Sequence, residues 1–128
     1  MENLYETQGT FNQDNLFAGN TIPVLARGIT LAKNQGVIKR GTVVGIVTAT
    51  GLAVPVDKVK TDGSQIPYGI ATDTVDTGTA ATSDTKTTVY TSGLFNSKAL
   101  FFGPSNTVAD HRAKLRDAGI HLQENIAN

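Results

Sequence analysis

Residues 42–48 read Thr-Val-Val-Gly-Ile-Val-Thr, a continuous β-branched run around one glycine. Side chains branched at Cβ are stiff at χ1 and sit well on a pleated surface, so the run reads as a strand. It lacks the apolar/polar alternation of a strand with one wet face. It is therefore expected to be buried on both faces, or bent at Gly45 where a barrel turns a corner. Outward from this stretch lie further short apolar runs divided by glycine: IPVLARGITLA (22–32), GVI (36–38), GLAVPVDKV (51–59) and PYGIAT (67–72). Asp62-Gly63 supplies a turn, since Asp bonds to nearby backbone and Gly accepts positive φ. The Gly-Ile core shared by VVGIVT and YGIAT suggests two equivalent strands of a barrel.

Farther on, DTGTAATSDTK (76–86) is small and polar and is expected to be an exposed loop. TTVYTSGLF (87–95) reads as a strand with a bulge near Gly93. ALFFG (99–103) is a short apolar run ending at Gly103-Pro104. The one helix comes late, over about residues 107–118. Asn106 or Thr107 caps it, Asp110 sits near the positive end of its dipole, and Lys114 and Arg116 sit near the negative end. Gly119 closes it, with Leu115 and Ile120 placed for a hydrophobic contact across the cap. The tail HLQENIAN (121–128) either adds an edge strand or frays. The fold class is mainly β with a short C-terminal helix.

The chain has 128 residues, enough for one domain with a modest core. Its 11 basic and 11 acidic side chains cancel, so overall charge recommends neither nucleic acid nor an anionic membrane as a partner. With no cysteine, disulfides and thiolate metal sites are excluded, and stability must come from packing or assembly. No signal peptide or membrane-length apolar run is found, and synthesis in a cytoplasm is expected. Charged residues make up 17% of the chain, which with abundant Thr suits a surface that is partly covered.

Each candidate for chemistry has a plainer reading. GVIKRGT (36–42) has glycines at phosphate-loop spacing but no Lys after the second, and is expected to be a turn with Lys39 and Arg40 solvated. Asp57, Asp62, Asp73, Asp76 and Asp84 fit no calcium loop and sit where turn formers sit. His111 and His121 lack the spacing of paired zinc ligands and are expected to be solvated. A Ser92, His111, Asp110 triad lacks the nucleophile-elbow pattern, and neighbouring Asp110 and His111 point to different sides of a helix. Arg112, Lys114 and Arg116 spread around the helix instead of forming a stripe. No catalytic residue, metal site or cofactor is expected, and the protein is read as one that binds.

Residues 1–20 are rich in Asn, Gln and Gly yet carry Leu4, Tyr5, Phe11, Leu16 and Phe17. A solvated tail should be depleted in aromatics, whereas a segment that orders on a partner needs spaced apolar anchors. Two readings stay open: a flexible arm over 1–20 with those five anchors ahead of a body over 21–128, or a first strand and lead-in loop packed on the body.

The order of RGTVVGIVT (40–48), GLAVPVDKV (51–59), DGSQIPYGIATDTVD (62–76), VYTSGLFN (89–96) and a terminal helix leading into LRDAGIHL (115–122) resembles the bacteriophage head decoration protein family, typified by decoration protein D of phage lambda. The similarity runs from about Gly41 to Leu122. The resemblance implies a small barrel of the β-clip or β-tulip type, a homotrimer, and a capsid cement role at three-fold sites of the expanded head. It also implies a location on the outer capsid surface of the virion, and neither enzymatic activity nor a cofactor. The partner would be the major capsid protein, reached through an N-terminal arm; here that role falls on 1–20. The chain departs from the lambda type in lacking Trp, in its arm sequence and in what reads as an added C-terminal helix. The alternative in a different structural class is a tail, baseplate or fibre-associated β module.

Overall fold

The computed structural model describes residues 16–19 and 21–123. Among the described residues, nine strands and one α-helix follow in the order β1 (Phe17–Gly19), β2 (Leu25–Leu31), β3 (Val37–Ile38), β4 (Val43–Ile46), β5 (Ala53–Pro55), β6 (Gly69–Ala71), β7 (Val75–Asp76), β8 (Thr85–Asn96), α1 (Val108–Asp117) and β9 (Ile120–Gln123). Five of them close a barrel. β2 pairs with β5, β5 with β4, β4 with β6, β6 with β8, and β8 returns to β2, every contact antiparallel except β2 with β5. β3 and β7 form a small antiparallel ribbon beside the barrel.

The 12-residue β8 belongs to two sheets. Its first part completes the barrel against β2, and its last part carries β1 antiparallel on one side and β9 parallel on the other. Between them the register slips: Leu25 faces Ser92 and Ala26 faces Tyr90, so Thr91 is the extra residue of a bulge. Gly93 lies just beyond it at φ 145°, and a side chain there would run into the Phe95 ring. The bulge expected from TTVYTSGLF is the joint between the two sheets.

Two apolar clusters explain why the central runs carry no polar face. Leu31, Val44, Ala53, Ala71 and Val89, one from each barrel strand, fill the barrel with Ile38. Leu16, Val43, Val56, Ile70, Phe95, Leu100, Leu115 and Ile120 form a second core between the barrel wall and α1. Successive strand residues point to opposite faces. Val43 thus enters the outer core and Val44 the barrel, and Ile70 and Ala71 divide in the same way.

α1 occupies the stretch expected for it. The Asp110 carboxylate accepts from the Thr107 N–H at 2.8 Å, and Gly119 takes φ 97° after the last turn. Leu115 and Ile120 meet in the outer core, each fully buried and contributing on the order of 1.5–3 kcal/mol. β9 realises one of the two readings of the tail, an added strand, over Ile120–Gln123; residues 124–128 lie outside the described residues. The 76–86 loop is partly anchored, with Asn34 accepting from the Ala81 N–H at 2.6 Å and Asp84 from the Lys33 N–H at 2.9 Å.

Candidate functional site

β1 roots the N-terminal segment in the body. The Leu16 carbonyl accepts from the Asn96 N–H at 2.8 Å, and its side chain is 2% exposed in the outer core. Phe17 lies 4.9 Å from the Phe95 ring and 5.0 Å, edge to face, from Tyr90. Leu16 and Phe17, expected as anchors for a partner, are therefore engaged by the protein's own core, because Phe95 offers them an apolar site that local sequence does not reveal. Here the first-strand reading applies to Leu16–Gly19. Leu4, Tyr5 and Phe11 lie outside the described residues.

Beside this root, Phe17, Ala18, Gly19 and Val24 line an open hollow of about 520 Å³, with Leu25 exposed next in the chain. Ser92 Oγ donates to the Pro23 carbonyl at 2.7 Å and ties the lead into β2 against the bulge. A second apolar surface joins Ile66 and Pro67 to Lys114, Asp117 and Ala118. On the other flank of α1, Arg112 and Arg116 share a smaller hollow with His121. Sequence reading passed over that pairing by treating 112, 114 and 116 together; the i, i+4 spacing of the two arginines was the available signal.

Of the residues singled out for chemistry, Asp57 and His111 are bridged by Asn106, and Asp110 pairs with Lys58. Asp57 accepts from Asn106 Nδ2 and the Val59 N–H, Asp62 from the Ser64 N–H and hydroxyl, and Asp76 from the Gly78 N–H. All but the Asn106 contact, which joins residues 49 apart, are turn contacts. Together these contacts hold Asp57 and Asp62 below the ordinary carboxylate value, through the Asn106 amide and the Ser64 side chain first; the Thr107 N–H does the same for Asp110. Among the described residues no three acids or histidines gather as a metal site, and no helix is long and apolar enough to cross a membrane. In the 36–42 turn, Arg40 is not simply solvated. Its guanidinium donates to the Thr72 carbonyl at 2.7 Å and to Tyr90 Oη at 3.1 Å, bracing the barrel wall.

His111 departs furthest from expectation. It is 1% exposed, stacked on Phe102 at 5.2 Å, because positions 111 and 115 form the inward face of α1. Asn106 fixes its tautomer. The Asn106 Oδ1 already accepts from the Lys58 N–H, and its Nδ2 donates to Asp57 and to the Pro104 carbonyl. The 2.7 Å contact with His111 Nε2 must therefore have the imidazole as donor. That leaves Nδ1 bare, buried and without a partner among the described residues. Burial pushes the imidazole below its ordinary value, with Lys114 and Lys58 acting in the same direction and Asp110 and Asp57 opposing.

The folded state thus resists a proton that the unfolded chain accepts near pH 6.5. The contribution of neutral His111 is complete above that pH and is lost as pH falls from it towards the depressed folded value. Denaturant midpoints should drop over this window, with a slope of at most about 1.4 kcal/mol per pH unit. His111→Phe, which keeps the stack on Phe102, should flatten the curve there. An unchanged slope in the variant would refute the assignment.

A mainly β body with one closed barrel, a bulged shared strand and a late helix is the arrangement expected from the order of sequence pieces. The family model of the bacteriophage lambda head decoration protein D matches residues 5–121. The chain belongs to that family. Comparison with curated proteins gave no match. The head decoration family is one of structural phage capsid proteins and not an enzyme family, and it implies association with a capsid in the virion. The match begins at Tyr5 and so reaches well ahead of Gly41. It also runs past α1, so the helix falls within the family pattern and is not an addition to it.

Proposed function

We propose that this head decoration protein binds as a homotrimer at three-fold sites of the expanded head, on the outer capsid surface, and stabilises the lattice by contact with the major capsid protein. The family match over 5–121 carries this reading, because it covers most of the N-terminal segment as well as the body. Leu4, Tyr5 and Phe11 are the capsid anchors, and Leu16 and Phe17 fasten the segment to the barrel so that tension on it is passed to the body. A trimer joins three modest arm contacts into one event, and such linkage raises affinity by factors of about 10²–10⁴ when the geometry allows simultaneous engagement. A ligand that binds only the expanded lattice stabilises that lattice by mass action.

The root changes which truncation is informative. Removing 1–20 takes away Leu16 and Phe17 and leaves a cavity beside Phe95, so that variant is expected to lose stability as well as binding. Removing 1–15 spares them. That variant should keep its denaturation midpoint to within about 0.5 kcal/mol and its trimer mass by light scattering, while binding to expanded heads falls at least about a hundredfold. Full head binding would remove the arm assignment. A monomeric mass for the intact chain together with no preference for expanded over unexpanded heads would overturn the function.

A further inference from the structure

Between β2 and β5 the barrel closes over a single residue pair. β5 meets β2 at Leu31 and Ala53 alone, and because the two run parallel, β5 continues past the end of β2 and away from Leu25–Thr30. Over Leu25–Gly28 the strand is exposed on both faces. The direction of its main chain follows from the strand on its other side. Thr72 donates its N–H to the Thr88 carbonyl at 3.2 Å, so Thr88 turns its polar groups to the β6 side of β8. In an antiparallel strand the N–H and C=O of one residue point to the same side, and successive residues alternate. Gly28, opposite Thr88, and Ala26, opposite Tyr90, therefore point theirs away from β8. Ala32 lies on that same outer side and donates to the Ala53 carbonyl at 2.9 Å, whereas Ala26 and Gly28 meet no main-chain partner there among the described residues.

We propose that this edge, at Ala26 and Gly28, is a strand-addition site for an extended acidic segment of the major capsid protein. The proposal rests on the reading of the chain as a capsid-binding decoration protein. An extended segment laid on an open edge gains main-chain hydrogen bonds there and takes its specificity from alternate side chains. Ala26 and Gly28 are small, and a Cβ at Gly28 would meet only the Thr87 carbonyl oxygen, at 3.9 Å, so the approach is unobstructed. The charge around the edge selects the partner. Arg27 stands exposed on one face and Lys86, opposite Thr30, on the other, and neither side chain has a hydrogen-bond or ion-pair partner among the described residues. Arginine presents a planar fork of donors that matches a carboxylate. Leu25, 58% exposed beside Val24, offers an apolar contact at one end. A second copy of β2 does not suit the edge, because pairing of like edges has two-fold symmetry and the proposed assembly is three-fold.

Amide hydrogen exchange, with the chain free or bound to expanded heads and read by NMR after release, separates strand addition from other contacts. In the free chain the Ala26 and Gly28 amides should exchange quickly, and those of Arg27 and Ile29, which face β8, slowly. On expanded heads all four should exchange slowly. Rapid exchange of Ala26 and Gly28 on bound heads overturns the site and leaves the decoration reading standing, whereas an intact chain that binds no heads overturns both. Slow exchange already in the free chain gives the edge to a second copy and also overturns the proposal. Gly28→Pro removes an outward N–H that the fold does not use, and should weaken head binding at least about tenfold, one hydrogen bond being lost from each copy of the assembly. Equal binding by the folded variant sinks the idea. The exchange measurement uses the unaltered chain, so it decides even where the proline disturbs β2. R27E/K86E, at two exposed positions, should weaken binding about tenfold at low salt. Unchanged or tighter binding overturns the acidic partner.

Discussion

Phe95→Ala is expected to lower the unfolding free energy by about 4 kcal/mol and to cost head binding along with it. Phe95 is fully buried and is the largest side chain of the outer core. Its ring lies 4.9 Å from Phe17 and 5.8 Å from Tyr90, and its backbone stands between Phe17 on β1 and Leu122 on β9. Truncation leaves a cavity that cannot easily collapse, because β1, β9 and the barrel wall are each held by their own hydrogen bonds. A domain of this size has only about 5–15 kcal/mol in hand, so the variant should fold but sit near the threshold. β1, three residues long and paired on β8, should loosen first. Denaturant titration and head binding measured on the same preparation check this. A loss under about 1.5 kcal/mol would show that Phe17 and Leu16 hold the root without the Phe95 ring.

Gly45→Ala should be at least as damaging, by a different route. A Cβ at this position would overlap the Ser64 carbonyl oxygen, and would come within 2.7 Å of the Ser64 carbonyl carbon and 2.8 Å of its Cα. These are main-chain atoms that cannot rotate away. Ser64 is itself fully buried, held through its N–H and its hydroxyl by Asp62 at 3.0 and 2.6 Å. Either β4 leaves its register in the barrel or the 62–66 turn is expelled. A loss of about 4 kcal/mol or more, or failure to fold, is expected. Gly51→Ala is the control: nothing lies within 4 Å of its Cβ, and the φ of 73° alone should cost about 1 kcal/mol. Comparable midpoints for the two variants would mean that the turn yields freely and that close approach is not why Gly45 is there.

That contrast bears on what could be read from the chain alone. The β-branched run at 42–48 announced a doubly buried strand, and Thr107, Asp110 and Gly119 announced the bounds of α1, because in both cases the cause is local. The shared Gly-Ile of VVGIVT and YGIAT pointed to two equivalent barrel strands; β4 and β6 are both in the barrel, and they pair with each other. The reason for the glycines was not legible. Gly45 clears the Ser64 backbone and Gly69 clears Val89 and Tyr90, contacts made with segments about 20 residues away. Leu16 and Phe17 carried no local sign of their destination for the same reason, since Phe95 lies nearly 80 residues downstream. His111 was misjudged although its i, i+4 spacing from Leu115 was visible, because a polar ring was presumed to seek water. The small β3–β7 ribbon left no mark, being two residues a side and closed by long-range bonds such as Thr77 to Gly36.

The division of neighbouring residues between two cores has a thermodynamic consequence. Val43 cannot leave the outer core without carrying Val44 out of the barrel, and Ile70 and Ala71 are coupled in the same way. The two clusters share β4, β6 and β8, so the barrel and the layer beneath α1 are expected to melt in one event instead of two. Subglobal opening is expected first in the 78–84 turn, outside both clusters, and at the short β1. A protein built this way presents a changeable edge on an all-or-none body.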